Sequence, residues 1–132
     1  MCYSIMDDAS FFDFILKSAI FAFCNLNIQI IIMVKKVKHI VMFKLSGDAA
    51  ERREVALRFR EALLELPGVI DCLISMEVGI NENPAETWDV VLTAEVPDMA
   101  SVETYAKHPA HLAAAAILDG HKEARACVDY EF

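Results

Sequence analysis

The chain is short of positive charge and of paired cysteines. It has 12 lysines and arginines against 20 aspartates and glutamates, which gives a formal net charge of -8. Proteins that bind nucleic acid by neutralising many phosphates have the opposite balance, so we expect no nucleic-acid partner. The four cysteines form no C-x-x-C pair and lie far apart, at Cys2, Cys24, Cys72 and Cys127. This spacing argues against a disulfide framework or a zinc knuckle and favours reduced thiols in a cytoplasmic protein.

The chain also lacks an uninterrupted apolar run that would cross a membrane. Its first 33 residues are rich in phenylalanine and isoleucine, but polar side chains interrupt them at Asp13, Lys17, Asn25, Asn27 and Gln29. A spanning helix needs about 18–20 consecutive apolar residues, so we expect no membrane span. Asp7 and Asp8 stand where a secretory signal carries positive charge, and no small-residue cleavage pattern follows.

We therefore interpret residues 1–33 as an N-terminal extension and residues 34–132 as the main domain. Met33-Val34-Lys35-Lys36 would be a natural beginning for that domain, so translation of an upstream stretch is one origin of the extension. A signal or an anchor is the alternative origin. In either case, its apolar side chains predict an adhesive, poorly packed segment. A domain of about 100 residues can still bury a modest core.

Alternating residues predict a first strand with two apolar faces. In Val37–Leu45 the odd-numbered positions form one face, and the even-numbered positions, which include Ile40 and Met42, form the other. Both faces are apolar at the centre of the strand, so we expect both to be covered. A helix should follow, because a cap at Ser46-Gly47-Asp48 precedes apolar residues at helical spacing and Pro67-Gly68 ends the pattern.

The rest of the chain predicts a hairpin, two short helices and a last strand. These are the strands Val69–Ile80 and Thr87–Val96, the helices 98–105 and 109–118, and the strand Ala126–Phe132. The order β-α-β-β-α-β is that of ferredoxin-like α+β folds, with four antiparallel strands and the helices on one face. Since the other face is also apolar, we expect a two-fold homodimer in which two sheets pair as a closed α/β barrel. Larger assemblies are left open.

The segment Tyr105–His111 carries the strongest chemical signal. It holds one phenol and two imidazoles within seven residues. Pro109 lacks an N–H and restricts His108, so the helix should break there. An unbroken helix would point Tyr105 and His111 to different faces, whereas a new helix that starts at Pro109 can bring them together.

Three stretches together resemble the stress-responsive A/B-barrel family, also called Dabb domains. They are the strand Val37–Leu45, the turn Leu66-Pro67-Gly68-Val69, and Tyr105-x-x-His108-Pro109-x-His111 followed by Val128-Asp129-Tyr130. The likeness covers residues 34–132 and leaves the extension without a counterpart. It implies the dimeric ferredoxin-like barrel. Similar proteins include plant stress proteins that form larger rings, bacterial proteins without assigned chemistry, and a plant polyketide cyclase that closes an aromatic ring by aldol condensation.

The resemblance also implies roles for three residues. By motif position, the base of that cyclase corresponds to His111, its tyrosine partner to Tyr105, and a histidine of the first strand near the pocket to His39. We expect a small, largely apolar ligand to contact this set together with two neighbours: His39, Val41, Tyr105, His108 and His111.

Two functions are compatible with these residues. A neutral imidazole can accept a proton and a phenol can orient it, which suits a cofactor-free lyase or cyclase that abstracts a proton beside a carbonyl. The alternative is a stress-protective module that binds a hydrophobic molecule without converting it, in which Tyr105 packs on the sheet and His111 pins the turn.

The sequence gives little support for metal binding. His108 and His111 are three residues apart, a spacing used by ligand pairs on helices. Pro109 spoils that geometry, and no cysteine or carboxylate nearby completes a set, so we predict neither a metal nor a cofactor.

Overall fold

The computed structural model describes residues 8–132, and the chain divides into two units after Val34. The helices and strands are α1 (Asp8–Met33), β1 (Val37–Leu45), α2 (Ala49–Leu64), β2 (Ser75–Ile80), β3 (Val90–Val96), α3 (Met99–Lys107), α4 (Pro109–Ala115) and β4 (Lys122–Glu131). Short 3-10 helices follow α2 at Leu66–Gly68 and α4 at Ala116–Leu118. Cys2 and Asp7 lie outside the described residues.

The first unit contains α1, a helix that the sequence pattern does not predict. The side chains of residues 10–23 are exposed, and the apolar ones follow one another at Phe11, Phe12, Phe14, Ile15 and Leu16. Because they surround the helix instead of forming one stripe, they leave no helical periodicity to detect. Asp13 and Lys17 form an ion pair of 2.7 Å one turn apart. Within residues 8–132, no helix is both long enough and apolar enough to cross a membrane.

The second unit is an antiparallel four-stranded sheet in the order β2-β3-β1-β4, with α2, α3 and α4 packed on one face. β1 is central, since it pairs with β3 through Val37–Val96 to Phe43–Val90 and with β4 through Val37–Glu131 to Leu45–Lys122. This is the ferredoxin-like α+β topology that the sequence predicts, and β1 has the predicted bounds.

Helix α2 starts at a complete capping box. Asp48 accepts hydrogen bonds from the backbone of Ala50 and Glu51, and the Glu51 side chain accepts one from the backbone of Asp48. Gly47 has φ of +104°, a conformation that favours glycine, and it lets the chain leave β1 and enter the helix. The apolar side of α2 then buries Val55, Phe59 and Leu63 against the sheet.

Three predicted strands have wrong boundaries. β2 begins at Ser75 instead of Val69, because the backbone after Pro67 turns back on itself: Ile70 donates to Leu66 and Leu73 donates to Ile70. β3 begins at Val90 instead of Thr87, because Asp89 closes the preceding loop through its carbonyl. β4 begins at Lys122 instead of Ala126 and ends at Glu131, one residue before the predicted Phe132, since Gly120 with φ of +78° reverses the chain early.

The two faces of the sheet differ in their cover. The odd-numbered residues of β1 are buried under the helices with Val90, Leu92, Ala94 and Val96 of β3. We call the opposite side the open face, and it carries Ile40, Met42, Val91, Val128 and Tyr130. Ile40 and Met42 are half-buried, whereas Val128 is 61% exposed. The open face is therefore apolar, and no helix of the second unit covers it.

Candidate functional site

The site begins at the break between α3 and α4. His108 has φ of -64° and ψ of 135°, so it ends α3 in an extended conformation, and Pro109 starts α4. The Nδ1 atom of His108 accepts a hydrogen bond from the backbone N–H of Ala110 at 3.1 Å. His108 is thus the N-cap of α4. The predicted helix break at Pro109 is confirmed.

This break brings three predicted residues together. The rings of Tyr105 and His111 lie 4.5 Å apart between centroids, and those of Tyr105 and His39 lie 5.9 Å apart. Tyr105 has no exposed surface, and its hydroxyl has no hydrogen-bond partner among residues 8–132. Burial raises the pKa of the Tyr105 phenol well above its usual value, so the phenol keeps its proton.

His111 is held in one neutral tautomer. Its Nδ1 lies 2.9 Å from the backbone carbonyl oxygen of Ala106. A carbonyl only accepts, so Nδ1 carries the proton and Nε2 keeps a free lone pair. Burial lowers the pKa of His111, the hydrogen bond to Ala106 opposes this, and the charges of His39 and Arg125 lower it further. An uncharged imidazole with a free acceptor nitrogen results.

His39 is oriented by the neighbouring strand. Its Nδ1 lies 2.5 Å from Oδ1 of Asp129, its directly opposed residue on β4. The carboxylate accepts, and the side chain of His39 is only 9% exposed. The thiol of Cys127, two residues before Asp129, lies 3.6 Å from the same nitrogen.

A cavity of about 220 Å³ lies between the sheet and the helices, and we call it the histidine cavity. Its wall is mostly apolar, and two histidines and two cations border it: Val41, Phe43, Phe59, Leu92, Ala106, Ala115, Leu118, His39, His111, Lys122 and Arg125. Three of the five predicted ligand contacts, His39, Val41 and His111, therefore border one space. Tyr105 does not line it and lies buried against both imidazole rings, and His108 does not line it either.

The contribution of β4 to the site was not predicted from the sequence. Lys122 and Arg125 line the cavity, and Cys127 and Asp129 contact His39 from the same face of the strand. The alternation of Arg125, Cys127 and Asp129 is visible in the sequence. Placing the start of the strand at Ala126 hid it, because that boundary left both cations in a loop.

Comparison with known proteins gives one family match and several structural neighbours. The model of the stress responsive A/B barrel domain matches residues 37–132. No curated protein matches the chain at a significant level. A dimeric protein of unknown function with a ferredoxin-like fold from Bacteroides fragilis is 47% identical, with a TM-score of 0.71 over 74% of this chain and 96% of that chain.

Two more distant structures share the fold. A dimeric ferredoxin-like protein of unknown function from Thermobifida fusca is 24% identical, with a TM-score of 0.63 over 76% of this chain and 93% of that chain. The hydroxynitrile lyase of Passiflora edulis is 13% identical, with a TM-score of 0.58 over 75% of this chain and 94% of that chain.

Proposed function

The chain belongs to the stress responsive A/B barrel domain family, and from this premise we propose that it is a cytoplasmic homodimer that binds a small, largely apolar molecule in the histidine cavity. One observation carries the proposal: mostly apolar side chains, together with the imidazoles of His39 and His111, line a space of about 220 Å³. Binding sites for small molecules combine such a lining with a few placed polar groups. The cytoplasmic location is proposed from the scattered cysteines of the sequence, which form no C-x-x-C pair.

The size of the cavity limits the ligand. A cavity of about 150 Å³ holds a benzene molecule in another protein. The histidine cavity is therefore large enough for a ligand with one substituted six-membered ring. The cationic side chains of Lys122 and Arg125 at its border favour a ligand with one oxygen-bearing polar end. We therefore propose a small carbonyl compound with an apolar body.

The homodimer rests on the open face. Its apolar residues are exposed, and beside it a second hollow of about 320 Å³ is bordered by Met42, Trp88 and Val91. Exposed apolar surface of this kind is typical of interfaces. A 47% identical relative is described as dimeric, which supports a dimer for this chain as well.

Ligand binding is tested with benzaldehyde as the probe and with two leucine variants of α4. Ala115 lines the cavity, whereas Ala113 is exposed on the same helix. Ala115→Leu fills the space and should weaken benzaldehyde binding about tenfold or more in NMR titrations, because the added carbons occupy the ligand's volume. Ala113→Leu should leave binding unchanged. Equal affinities in both variants, or no binding to the unmodified protein, would exclude this cavity as the site.

A second candidate, proton abstraction by His111, is favoured by the tautomer of that residue. Nε2 of His111 can take a proton from the carbon beside a carbonyl, and the electron pair of that C–H bond then moves into an enolate. Lys122 and Arg125 can stabilise the enolate oxygen, and Tyr105 positions the His111 ring. The chemistry would be that of a cofactor-free lyase or cyclase. A protein of the same fold is described as a hydroxynitrile lyase, so the fold is compatible with lyase activity in general.

A further inference from the structure

A cluster of potential metal ligands lies on one face of two neighbouring strands. His39 stands opposite Asp129 in the β1–β4 pair, and Val41 stands opposite Cys127. Residues two apart on a strand point to the same face, so Cys127 and Asp129 both project toward His39. Nδ1, Sγ and a carboxylate oxygen of these residues all lie within 4.8 Å of one another.

The separations approach those of a tetrahedral zinc shell. Bonds of about 2.0–2.1 Å to nitrogen and oxygen and about 2.3 Å to sulfur place neighbouring ligand atoms about 3.3–3.6 Å apart. The distance between Cys127 Sγ and His39 Nδ1 is 3.6 Å, and that between Sγ and the nearer Asp129 oxygen is 3.9 Å. Only the 2.5 Å hydrogen bond between His39 and Asp129 must open. The Asp129 side chain is partly exposed, so it can rotate and lengthen its separation from His39 Nδ1.

We propose that His39, Cys127 and Asp129 bind a divalent cation of the zinc class. Thiolate, imidazole and carboxylate together suit Zn²⁺, whereas Mg²⁺ and Ca²⁺ select oxygen ligands. Binding requires a proton-free Nδ1 on His39, so that Nε2 carries the ring proton, and it releases the thiol proton of Cys127. Three protein ligands leave the fourth tetrahedral position to water or a small molecule, as in zinc sites that act on substrates.

The site is independent of the ligand role proposed for His111. All three ligand atoms lie on β1 and β4, and both strands belong to the hydrogen-bonded sheet. His39 also borders the histidine cavity, so a bound cation would stand at its wall. The ligands are 88 and 90 residues apart in sequence. A search for metal ligands close together in the sequence therefore finds only His108 and His111, and Pro109 breaks the helix that this pair would need.

The test uses the full-length, tag-free protein, stripped of metal with a chelator and kept reduced. Titration with Zn²⁺ in a calorimeter should give one bound ion per protomer. Titration with Co²⁺ should produce the thiolate-to-metal charge-transfer absorption. Cys127→Ser should abolish that absorption, and both Cys127→Ser and Asp129→Asn should weaken Zn²⁺ binding by about tenfold or more.

Cys72→Ser is the matched control, since Cys72 is half-buried and donates to the carbonyl of Ser101. It should bind Zn²⁺ like the unmodified protein. Circular dichroism establishes that each variant is folded, and Cys127 is exposed, so its replacement by serine removes little packing. The proposal is overturned if the unmodified protein binds no Zn²⁺ or if Cys127→Ser binds it with unchanged affinity. Benzaldehyde titrations of the same samples report separately on the histidine cavity.

Discussion

The free Nε2 of His111 depends on one backbone carbonyl. Ala106 belongs to the last turn of α3, and its carbonyl accepts the Nδ1 proton of a histidine five residues later. Within a continuous helix this carbonyl would bond to the backbone N–H of residue 110. Because α3 ends at Lys107, the oxygen is available to the imidazole. The tautomer of His111 is thus a consequence of the helix break.

His111→Gln tests the proton-abstraction candidate. In D₂O the unmodified protein should catalyse exchange of the CH₂ protons of phenylacetone, and the variant should be about 100-fold or more slower because glutamine cannot act as the base. The pKa of His111 is lowered, so the free base persists below the usual titration range of histidine, and exchange should fall only at more acidic pH. NMR of the probe measures both.

The same variant separates the two functions. Benzaldehyde binding and the oligomeric state should survive in His111→Gln, since glutamine keeps much of the side-chain volume. If the unmodified protein binds benzaldehyde but exchanges no proton, the cavity binds without converting, and the base role of His111 is wrong.

Tyr105 has a polar group that stability alone does not explain. The hydroxyl is buried and unpaired within the described residues. An unsatisfied buried hydroxyl destabilises the folded state, so Tyr105→Phe should raise the free energy of unfolding by about 1 kcal/mol. Tyr105→Leu should lower it by about 1–3 kcal/mol, because the ring contacts with His39 and His111 are lost. Urea denaturation measures both, and a destabilised Tyr105→Phe would show that the hydroxyl is bonded.

At the scale of the elements, the two histidines of the α3–α4 junction have different roles: His108 caps α4, and His111 lines the cavity. His108 was expected to touch the ligand, yet its Nδ1 caps α4 and the side chain does not line the cavity. His108→Ala should therefore cost about 0.5–1 kcal/mol of stability, the usual value of a lost N-cap.

His108→Asn restores an acceptor and should recover most of that loss. Benzaldehyde affinity should be the same in both variants and in the unmodified protein. If the asparagine variant recovers stability but binds benzaldehyde more weakly than the unmodified protein, His108 belongs to the ligand site instead.

At the scale of the whole molecule, the open face predicts the oligomeric state. Val128 is 61% exposed and stands opposite Ile40 on that face. Val128→Asp should convert the proposed homodimer to a monomer at micromolar concentration, because an unpaired carboxylate would be buried between the sheets. Light scattering after size-exclusion chromatography measures the mass.

Leu57→Asp is the control for this experiment. Leu57 lies on α2 and is 38% exposed, so its replacement adds the same charge away from the open face. That variant should remain dimeric. A dimer that persists in Val128→Asp, or dissociates equally in Leu57→Asp, would contradict pairing through the open face.

The order of elements in the sheet domain was readable from the residues. Alternation in Val37–Leu45, the cap at Asp48 and the break at Pro109 are local signals, and the structure has all three. They suffice because a strand face, an N-cap and a proline kink each depend on neighbours within a few residues. The motif also placed His111 beside Tyr105.

Tertiary structure decided the partners of those residues. The pairing of His39 with Asp129, the approach of Cys127 and the position of Arg125 at the cavity all depend on the register of β4 against β1. A shift of one residue would turn these side chains to the open face. That register is set by contacts between segments about 90 residues apart, which no local pattern encodes. The sequence alone therefore determined which reactive side chains the protein has, and the pairing of the strands decided which of them contact one another.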